Sequence, residues 1–391
     1  MPALPAQGLS FAPRLAALYV ALFIFSGVQL PFFPVWLKAK GIDPSLIGLV
    51  VAVPSLVRVF GIPFAAREAD RRDAVRQAIM ICAAASVGAF VLVGMSAGAL
   101  AIFLTYALAS VFYAPVMPLT ESYALKGLSA RGRAYGPVRL WGSVSFIAAS
   151  FITGLAIEAM PAQHLIWIMV AGSVLVALAA LALLPIAVQP RQSPVSPPAR
   201  TNLLRDRGFL AVLAAASLIQ ASHAVYYGFS ALQWRGEGLD GGSIGALWAI
   251  GVVAEIVLFA FQGRLSISPA GLLMVGALGA LLRWGAMMVN PPAALLPFLQ
   301  ILHALSFGAT HLGALTYVAR HAGEGRAATA QGHLAIALSA VMAIASAVSG
   351  PLYAHYGVAS YAAMALMAVA GGIAARVAGR AGAGVAGMPR R

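Results

Sequence analysis

The chain has 391 residues, of which 61% are hydrophobic and only 9% are charged. An ordinary soluble domain carries about 25% charged residues, so this composition excludes a water-soluble protein and indicates a chain embedded in lipid. The net charge of +14 does not indicate a nucleic-acid partner, because the basic residues are distributed like those of membrane-protein loops.

Apolar stretches follow one another along nearly the whole chain, each about as long as a helix that crosses the ~30 Å hydrocarbon layer of a bilayer. We predict spans at residues 14–37, 44–66, 74–96, 98–124, 135–158, 164–186, 208–234, 243–262, 268–288, 293–319, 327–350 and 355–378. The expected fold class is an all-α membrane protein with 12 transmembrane helices in two pseudo-symmetric six-helix halves.

The distribution of basic residues predicts the orientation of these spans. If the N-terminus is cytoplasmic, 19 of the 25 Lys and Arg residues lie in cytoplasmic segments, whereas the opposite loops hold only Lys38, Lys40 and Arg235. The positive-inside rule therefore predicts a multi-pass protein of the cell inner membrane with both termini in the cytoplasm. The three remaining basic residues lie inside spans: Arg58, Arg139 and Arg283.

A segment rich in proline and arginine, residues 187–207, separates the sixth span from the seventh and predicts a cytoplasmic linker. It divides the chain into an N-terminal half, 1–186, and a C-terminal half, 208–391. Two such halves are typical of one class of secondary transporters, in which the substrate site lies between the halves near the membrane midplane.

A weak internal repeat supports this division. At an offset of 197, the residues Gly41-Ile42-Asp43 align with Gly238-Leu239-Asp240, and Arg58 aligns with Glu255. Asp43 precedes Pro44 at the start of a predicted helix, which is typical of an N-cap, and Asp240 is expected to cap its helix likewise.

Ionisable residues inside spans are candidates for function, because an unpaired charge at the bilayer centre costs at least ~2.5 kcal/mol. They are Arg58, Glu121, Arg139, His223, Glu255, Arg283, His303, His311 and His333, with Glu158 near the outer end of a span. For Arg283 two interpretations stay open: snorkelling to the interface beside Trp284, or pairing with an acidic or histidine residue on a neighbouring helix. Arg58 follows Pro54, where a distorted helix offers free carbonyl groups.

Polar and aromatic residues share one face on three spans, as judged by 100° of rotation per residue. On the fourth, seventh and tenth spans these faces hold Tyr106, Ser110, Tyr113, Met117 and Glu121; Gln220, His223, Tyr227 and Ser230; and His303, Ser306, Phe307 and Thr310. His311 lies about 80° away from the last face. The faces indicate either the lining of a cavity or polar contacts that hold a structural bundle together.

Glu121 and Arg139 flank one cytoplasmic hairpin, so an antiparallel pair of helices would place them at similar depth. They are interpreted either as a permanent salt bridge or as parts of a binding site. A guanidinium matches a carboxylate group in a planar, bidentate way and keeps its charge at physiological pH. Glutamate and histidine are suited to proton coupling.

Several stretches resemble the major facilitator superfamily, and specifically its phenylpropionate permease family, which is related to the lactose permease and the nucleoside proton symporters. The stretches are LPFFPVWLKAKGI (30–42), YGPVRLWGSVSFI (135–147), QASHAVYYGFSALQW (220–234), GVVAEIVLFAF (251–261) and LHALSFGATHLGAL (302–315). The resemblance implies that the first, fourth, seventh and tenth helices line a central cavity.

Individual roles follow from this resemblance. Glu121 and Arg139 match the substrate-contacting acid and arginine of the lactose permease, and His303 matches its tenth-helix histidine. Ser306 stands where that permease has its proton-coupling glutamate, so a sugar-type coupling mechanism is not expected intact. The sequence AREADRRDA (66–74) is similar to the superfamily's loop after the second helix, which implies gating roles for Asp70 and Arg71.

We therefore predict a secondary active transporter that imports a small aromatic carboxylate together with protons by alternating access, with no cofactor beyond the proton gradient. The expected substrate-binding residues are Arg139, Glu121, Tyr106, Tyr113, His223, Tyr227 and Phe307, and the expected proton-coupling residues are Glu255, Glu121 and His303. A sugar, nucleoside or drug transporter is the first alternative. A membrane-embedded enzyme is the second, although no span contains a D-x-x-D or H-E-x-x-H pattern, and no metal is expected.

Overall fold

The computed structural model describes residues 7–71, 74–186, 203–264, 266–321 and 327–386, with side chains for all of these except 7–10, 62–71, 327–328 and 382–386. Throughout these ranges the secondary structure is helical and contains no strand. Residues 187–202, most of the predicted linker, lie outside the described residues. The all-helical expectation is confirmed for the part that is described.

The first part of the chain forms seven helices: α1 (Gln7–Ala39), α2 (Pro44–Arg71), α3 (Val75–Met95), α4 (Ala99–Tyr113), α5 (Val116–Ser129), α6 (Tyr135–Ala159) and α7 (Leu165–Leu181). The remainder forms eight more: α8 (Arg207–Ala221), α9 (Ala224–Gly236), α10 (Gly241–Phe261), α11 (Pro269–Met287), α12 (Leu296–Ile301), α13 (Thr310–His321), α14 (Ala327–Tyr356) and α15 (Tyr361–Ala386). A π-helical segment, Ala304–Ala309, precedes α13.

Within the described part of the chain, eleven helical stretches are long and apolar enough to cross a membrane, compared with the twelve spans predicted. The last of them, Thr329–Ala381, is 53 residues long and contains most of both α14 and α15. Large apolar side chains cover the outside of these helices; Phe60 and Met95 are each 72% exposed. Such a surface is expected where the surrounding medium is lipid.

Two compact units make up the chain. Unit 1 comprises Met1–Pro190 and Phe229–Ala249, and unit 2 comprises Arg191–Gly228 and Ile250–Arg391. Helices α1 and α6 pack closely within unit 1, where the Ser150 hydroxyl donates a hydrogen bond of 3.1 Å to the carbonyl oxygen of Gly27. The core of unit 2 is built by α8, α11, α13, α14 and α15 around residues such as Val212, Leu273 and Val318.

Three predicted spans are interrupted, each for a local reason. The fourth is divided between α4 and α5, because Pro115 and Pro118 lack the amide protons that would continue the helical ladder. The seventh is divided between α8 and α9, where the His223 amide donates to the carbonyl of Gln220 and so forms a tighter turn. The tenth contains the π-helical segment, in which the hydrogen bonds span a wider turn.

Glycine residues allow α6 and the start of α10 to approach closely within unit 1. A methyl group on Gly154 would overlap the carbonyl oxygen of Gly241, and one on Gly245 would overlap that of Ser150. Close approach of this kind is typical of membrane helices that pack through small residues.

The predicted N-cap of α10 is confirmed. The Asp240 carboxylate accepts hydrogen bonds of 2.9 Å from the Ser243 amide and 2.6 Å from the Ser243 hydroxyl. These hydrogen bonds to its charged form lower the pKa of Asp240. Glu158, at the end of α6, binds next to this cap: it accepts from the Gly241 amide at 2.9 Å and pairs with Arg235 at 3.1 Å.

Candidate functional site

Arg283 on α11 is the most deeply buried charged residue among the described side chains, with no exposed surface. Its guanidinium donates to Nδ1 of His303 at 3.1 Å and to Oε1 of Gln300 at 2.5 Å. It also lies over the rings of Tyr226 at 4.4 Å and Trp284 at 4.6 Å. Of the two interpretations of Arg283, the structure therefore shows pairing with a histidine and not snorkelling.

This contact determines the tautomer of His303. An arginine side chain can only donate hydrogen bonds, so Nδ1 of His303 must be the acceptor and the ring proton must lie on Nε2. Nε2 in turn lies 4.0 Å from Oε2 of Glu255, and both side chains are only slightly exposed. His303 is therefore neutral, and it stands between a buried cation and a carboxyl group.

His223 lies at the turn between α8 and α9 and is fully buried. Its Nδ1 lies 3.0 Å from the Gln220 carbonyl oxygen, which only accepts, so the ring proton is on Nδ1. Nε2 therefore accepts from the Ser306 hydroxyl at 3.1 Å. This histidine is also neutral, with the opposite tautomer to that of His303.

Aromatic rings extend from these two histidines. The ring of Tyr227 stacks on His223 with a centroid distance of 5.6 Å. The ring of Phe307 stacks on His303 at 5.2 Å, and that of His311 stacks on Phe307 at 6.2 Å. The sequence places His311 about 80° from this face, and its contact with Phe307, four residues earlier, is the one expected of neighbouring positions on a helix.

A second hydrogen bond fixes the aromatic side of the Arg283 site. The Trp284 indole N–H donates to the Ser222 hydroxyl at 2.8 Å, and the Ser222 hydroxyl donates to the Ile219 carbonyl at 2.6 Å. The indole also stacks on the Tyr361 ring with a centroid distance of 5.7 Å. The ring that faces Arg283 is thus held by α8 and α15 as well as by its own helix.

Arg139, on α6 in unit 1, stacks on aromatic rings. Its guanidinium lies 4.1 Å from the centre of the Phe23 ring and 5.5 Å from that of Tyr19. Glu121 is within electrostatic range of Arg139, and Tyr135 lies close to both. Among the described residues no ion pair within 4 Å joins Glu121 to Arg139, so a direct permanent salt bridge is not formed.

Tyr106 and Tyr113 lie on one face of α4 in unit 1, as predicted from their spacing. The Tyr106 hydroxyl accepts a hydrogen bond of 2.7 Å from the Gln29 side chain. The ring of Tyr113 packs against Phe25 at 4.2 Å and Phe90 at 5.7 Å. The side chains of Asp70 and Arg71, at the end of α2, lie outside the described part of the chain, so their gating role stays a prediction.

The structure brings His223, His303, Glu255, Phe307 and Tyr227 together within unit 2, and Glu121 and Arg139 within unit 1. Sequence reasoning missed the partners that enclose Arg283: Tyr226, Gln300 and the face of Trp284. Tyr226 follows His223 by three residues and so shares its side of the helix. Trp284 follows Arg283 directly on α11, whereas Gln300 carried no signal because its contact with Arg283 depends on how separate helices pack.

Comparison with known proteins agrees with this fold. The MFS_1 like family matches residues 13–363. The probable 3-phenylpropionic acid transporter of Escherichia coli (strain K12) is 30% identical over 366 residues, which cover 91% of this chain and 94% of that protein. The maltose permease of Geobacillus stearothermophilus is 26% identical over 317 residues, which cover 78% of both.

The fold also matches that of a solved structure at lower sequence identity. The nucleoside transporter NupG superposes with a TM-score of 0.75 at 19% identity, covering 95% of this chain and 98% of that one. These relatives are transporters and not enzymes, so the membrane-embedded enzyme is excluded as the alternative. The chain belongs to the MFS_1-like family of the major facilitator superfamily and is a multi-pass membrane transporter.

Proposed function

We propose that the chain imports a small aromatic carboxylate together with protons, by alternating access, across the inner membrane with both termini in the cytoplasm. The 30% identity to a probable 3-phenylpropionic acid transporter over most of both chains supports this substrate class. The observation that carries the proposal is the connected set Arg283, His303 and Glu255, in which a permanent cation and a titratable acid lie on opposite sides of one neutral histidine.

Glu255 is the proton carrier that this geometry favours. A proton added to His303 would have to bind at Nδ1, where the Arg283 guanidinium already donates, so two donors would face each other. The Glu255 carboxylate faces the Nε2–H side of His303 at 4.0 Å, and a carboxylate oxygen can take up a proton. A proton on Glu255 would also remove the negative charge nearest to His303 and leave the positive charge of Arg283 less compensated.

This change in charge provides a physical reason for coupling. With Glu255 protonated, the electrostatic potential around Arg283 and His303 becomes more positive, which favours the binding of an anion. With Glu255 ionised, the anion is repelled and released. Proton and carboxylate would thus bind together and leave together, as symport requires.

Arg139 is the proposed contact for the substrate carboxylate, with Glu121 and Tyr135 nearby. Its stacking on Phe23 leaves the edges of the guanidinium as the places where a carboxylate binds in a bidentate manner. The proposed ring-stacking surfaces are Tyr106, Tyr113, Tyr227 and Phe307, and His223 is a proposed contact beside them. Glu121 is a second proposed proton carrier, and the gating roles of Asp70 and Arg71 are part of the same proposal.

The test is uptake of radiolabelled 3-phenylpropionate into proteoliposomes with an imposed pH gradient. We expect uptake to accelerate when the outside is acidic and to be inhibited by aromatic carboxylates but not by their neutral amides. Arg139→Gln should abolish uptake, and Arg139→Lys should retain part of it, because lysine keeps the charge but not the bidentate geometry. Unchanged uptake by the glutamine variant would contradict the role of Arg139.

A sugar carrier is the second candidate, favoured by the 26% identity to a maltose permease. The same liposomes distinguish it from the first. Inhibition of uptake by maltose, with no inhibition by aromatic acids, would replace the carboxylate proposal with the sugar proposal.

A further inference from the structure

Unit 1 contains a cavity of about 170 Å³ between α1, α2, α3, α4 and the start of α5, and Tyr113 is the one residue of the preceding proposal that lines it. Ser26 and Gln29 line it from α1, Arg58 from α2, and Ser110 and Tyr113 from α4. The walls combine these polar groups with apolar side chains such as Leu22 and Phe90, and they include one permanent positive charge.

Arg58 lies well inside its membrane helix. It follows Pro44, the first residue of α2, by 14 residues, which corresponds to about 21 Å of helix rise. The hydrocarbon layer is ~30 Å thick, and a charge at such a depth costs at least ~2.5 kcal/mol unless it has a partner or an aqueous cavity. The position of Arg58 thus requires an explanation.

No partner for this charge exists among the described residues. Arg58 forms no hydrogen bond or ion pair with any of them, and the polar side chains that share the cavity with it include Gln29, Ser110 and Tyr113. The carbonyl groups expected to be free near Pro54 do not bind it. The side chain is exposed, and it is one of the residues that line the cavity. The cavity is therefore where a partner for this charge could bind.

A second polar group of the cavity also has no partner. The Tyr113 hydroxyl is buried and forms no hydrogen bond with any described residue. The neighbouring phenol differs, because Gln29 donates to Tyr106 at 2.7 Å and holds it in place. The rings of Phe90 and Tyr113 pack edge to face at 5.7 Å and form an apolar wall beside the polar groups.

We propose that this cavity is a carboxylate-binding site, separate from Arg139, in which Arg58 binds the carboxylate and Tyr113 donates a hydrogen bond to it. A guanidinium and a hydroxyl donor together bind a carboxylate more strongly than they bind a neutral polar group. The Phe90 and Tyr113 rings provide contact for an attached aromatic or apolar group. The claim that the bound acid is also the transported one rests on the proposed function. The claim that the cavity binds a carboxylate does not rest on it.

The experiment uses a reporter thiol inside the cavity. Cys82 is the single cysteine of the chain, so Cys82→Ser together with Ser26→Cys places one thiol at the cavity wall. The purified full-length protein is labelled with an anionic thiosulfonate reagent, and in parallel with a cationic one of similar size. A positive Arg58 should accelerate the anionic reagent and slow the cationic one relative to the Arg58→Gln variant.

We expect the ratio of anionic to cationic labelling rates to fall about tenfold in Arg58→Gln and to change little in Arg58→Lys. Benzoate or 3-phenylpropionate should slow labelling when Arg58 is present and have no effect in Arg58→Gln; Tyr113→Phe should weaken this protection. Thermal unfolding and monodispersity of the detergent-purified protein report whether each variant is folded. An unchanged ratio, or protection that persists in Arg58→Gln, would overturn the proposal.

The outcomes separate this inference from the proposed function. If labelling depends on Arg58 and carboxylates protect the thiol while 3-phenylpropionate is not transported, the site is supported and the transport proposal fails. If 3-phenylpropionate is transported but neither the labelling ratio nor the protection depends on Arg58, the transport proposal stands and the site is refuted.

Discussion

Replacing Arg283 by methionine tests the buried site of unit 2. Methionine fills a similar volume but leaves two buried acceptors without donors, Nδ1 of His303 and Oε1 of Gln300, at about 1–3 kcal/mol each. It also removes the cation from the rings of Tyr226 and Trp284, at about 0.5–2 kcal/mol for each ring. Relief from burying a charge offsets several kcal/mol of this loss.

We expect a net destabilisation of about 3 kcal/mol for Arg283→Met, which is the lower end of the cost of breaking a buried charged pair. At about 2 °C per kcal/mol, Tm should fall by about 6 °C. The assay is thermal unfolding of the detergent-purified protein, followed by tryptophan fluorescence and by the loss of monodisperse protein.

The matched control is Arg264→Met. Arg264 is exposed and lies 5.1 Å from the ring centre of Phe261, so it loses a single cation–ring contact at the surface, about 0.5–1 kcal/mol. If Arg283→Met lowers Tm no more than Arg264→Met does, the buried hydrogen bonds of Arg283 do not stabilise the fold, and the reasoning is refuted.

The remaining predictions concern coupling and packing. Glu255→Gln imitates the protonated carboxyl group, so uptake should lose its dependence on outside pH, whereas wild-type uptake should fall as pH rises; a retained pH profile would exclude Glu255 as the carrier. Gly154→Ala should lower stability by about 1–3 kcal/mol, because the methyl group overlaps the facing backbone. Gly136→Ala should not lower stability, because nothing lies within 4 Å of its added methyl group. Equal Tm values for the Gly154→Ala and Gly136→Ala variants would contradict the close packing at Gly154. Ser306→Ala should cost about 1–3 kcal/mol, since it removes the hydrogen bond to Nε2 of His223; an unchanged Tm would show that this bond contributes little.

Helix positions could be predicted because lipid imposes a simple requirement on composition and length, and the all-helical class followed from it. The breaks within spans were harder to predict. Pro115 and Pro118 signal one of them in the sequence, but the turn at His223 and the π-helical segment depend on contacts between helices. Asp240 was predicted correctly as a cap, because capping is determined by neighbouring residues.

Arg283 shows why the candidate site was only partly predictable. The sequence places it beside Trp284 in the outer part of a span, which fits an interfacial arginine as well as a buried one. The choice depends on whether other helices bring acceptors close to it, and His303 and Gln300 are 20 and 17 residues away in sequence. Helical periodicity orders residues around one helix, but it carries no information about which faces meet.

The π-helical segment Ala304–Ala309 makes the helical turn wider at this point of the tenth span than in the α-helical turns around it. Conversion of this widened turn to a regular α-helical ladder would shift the hydrogen-bond register by one residue, which corresponds to about 100° of rotation. Such a rotation would turn α13 relative to His303, which stays beside Arg283. A change confined to six residues is therefore enough to reorient the C-terminal part of this span.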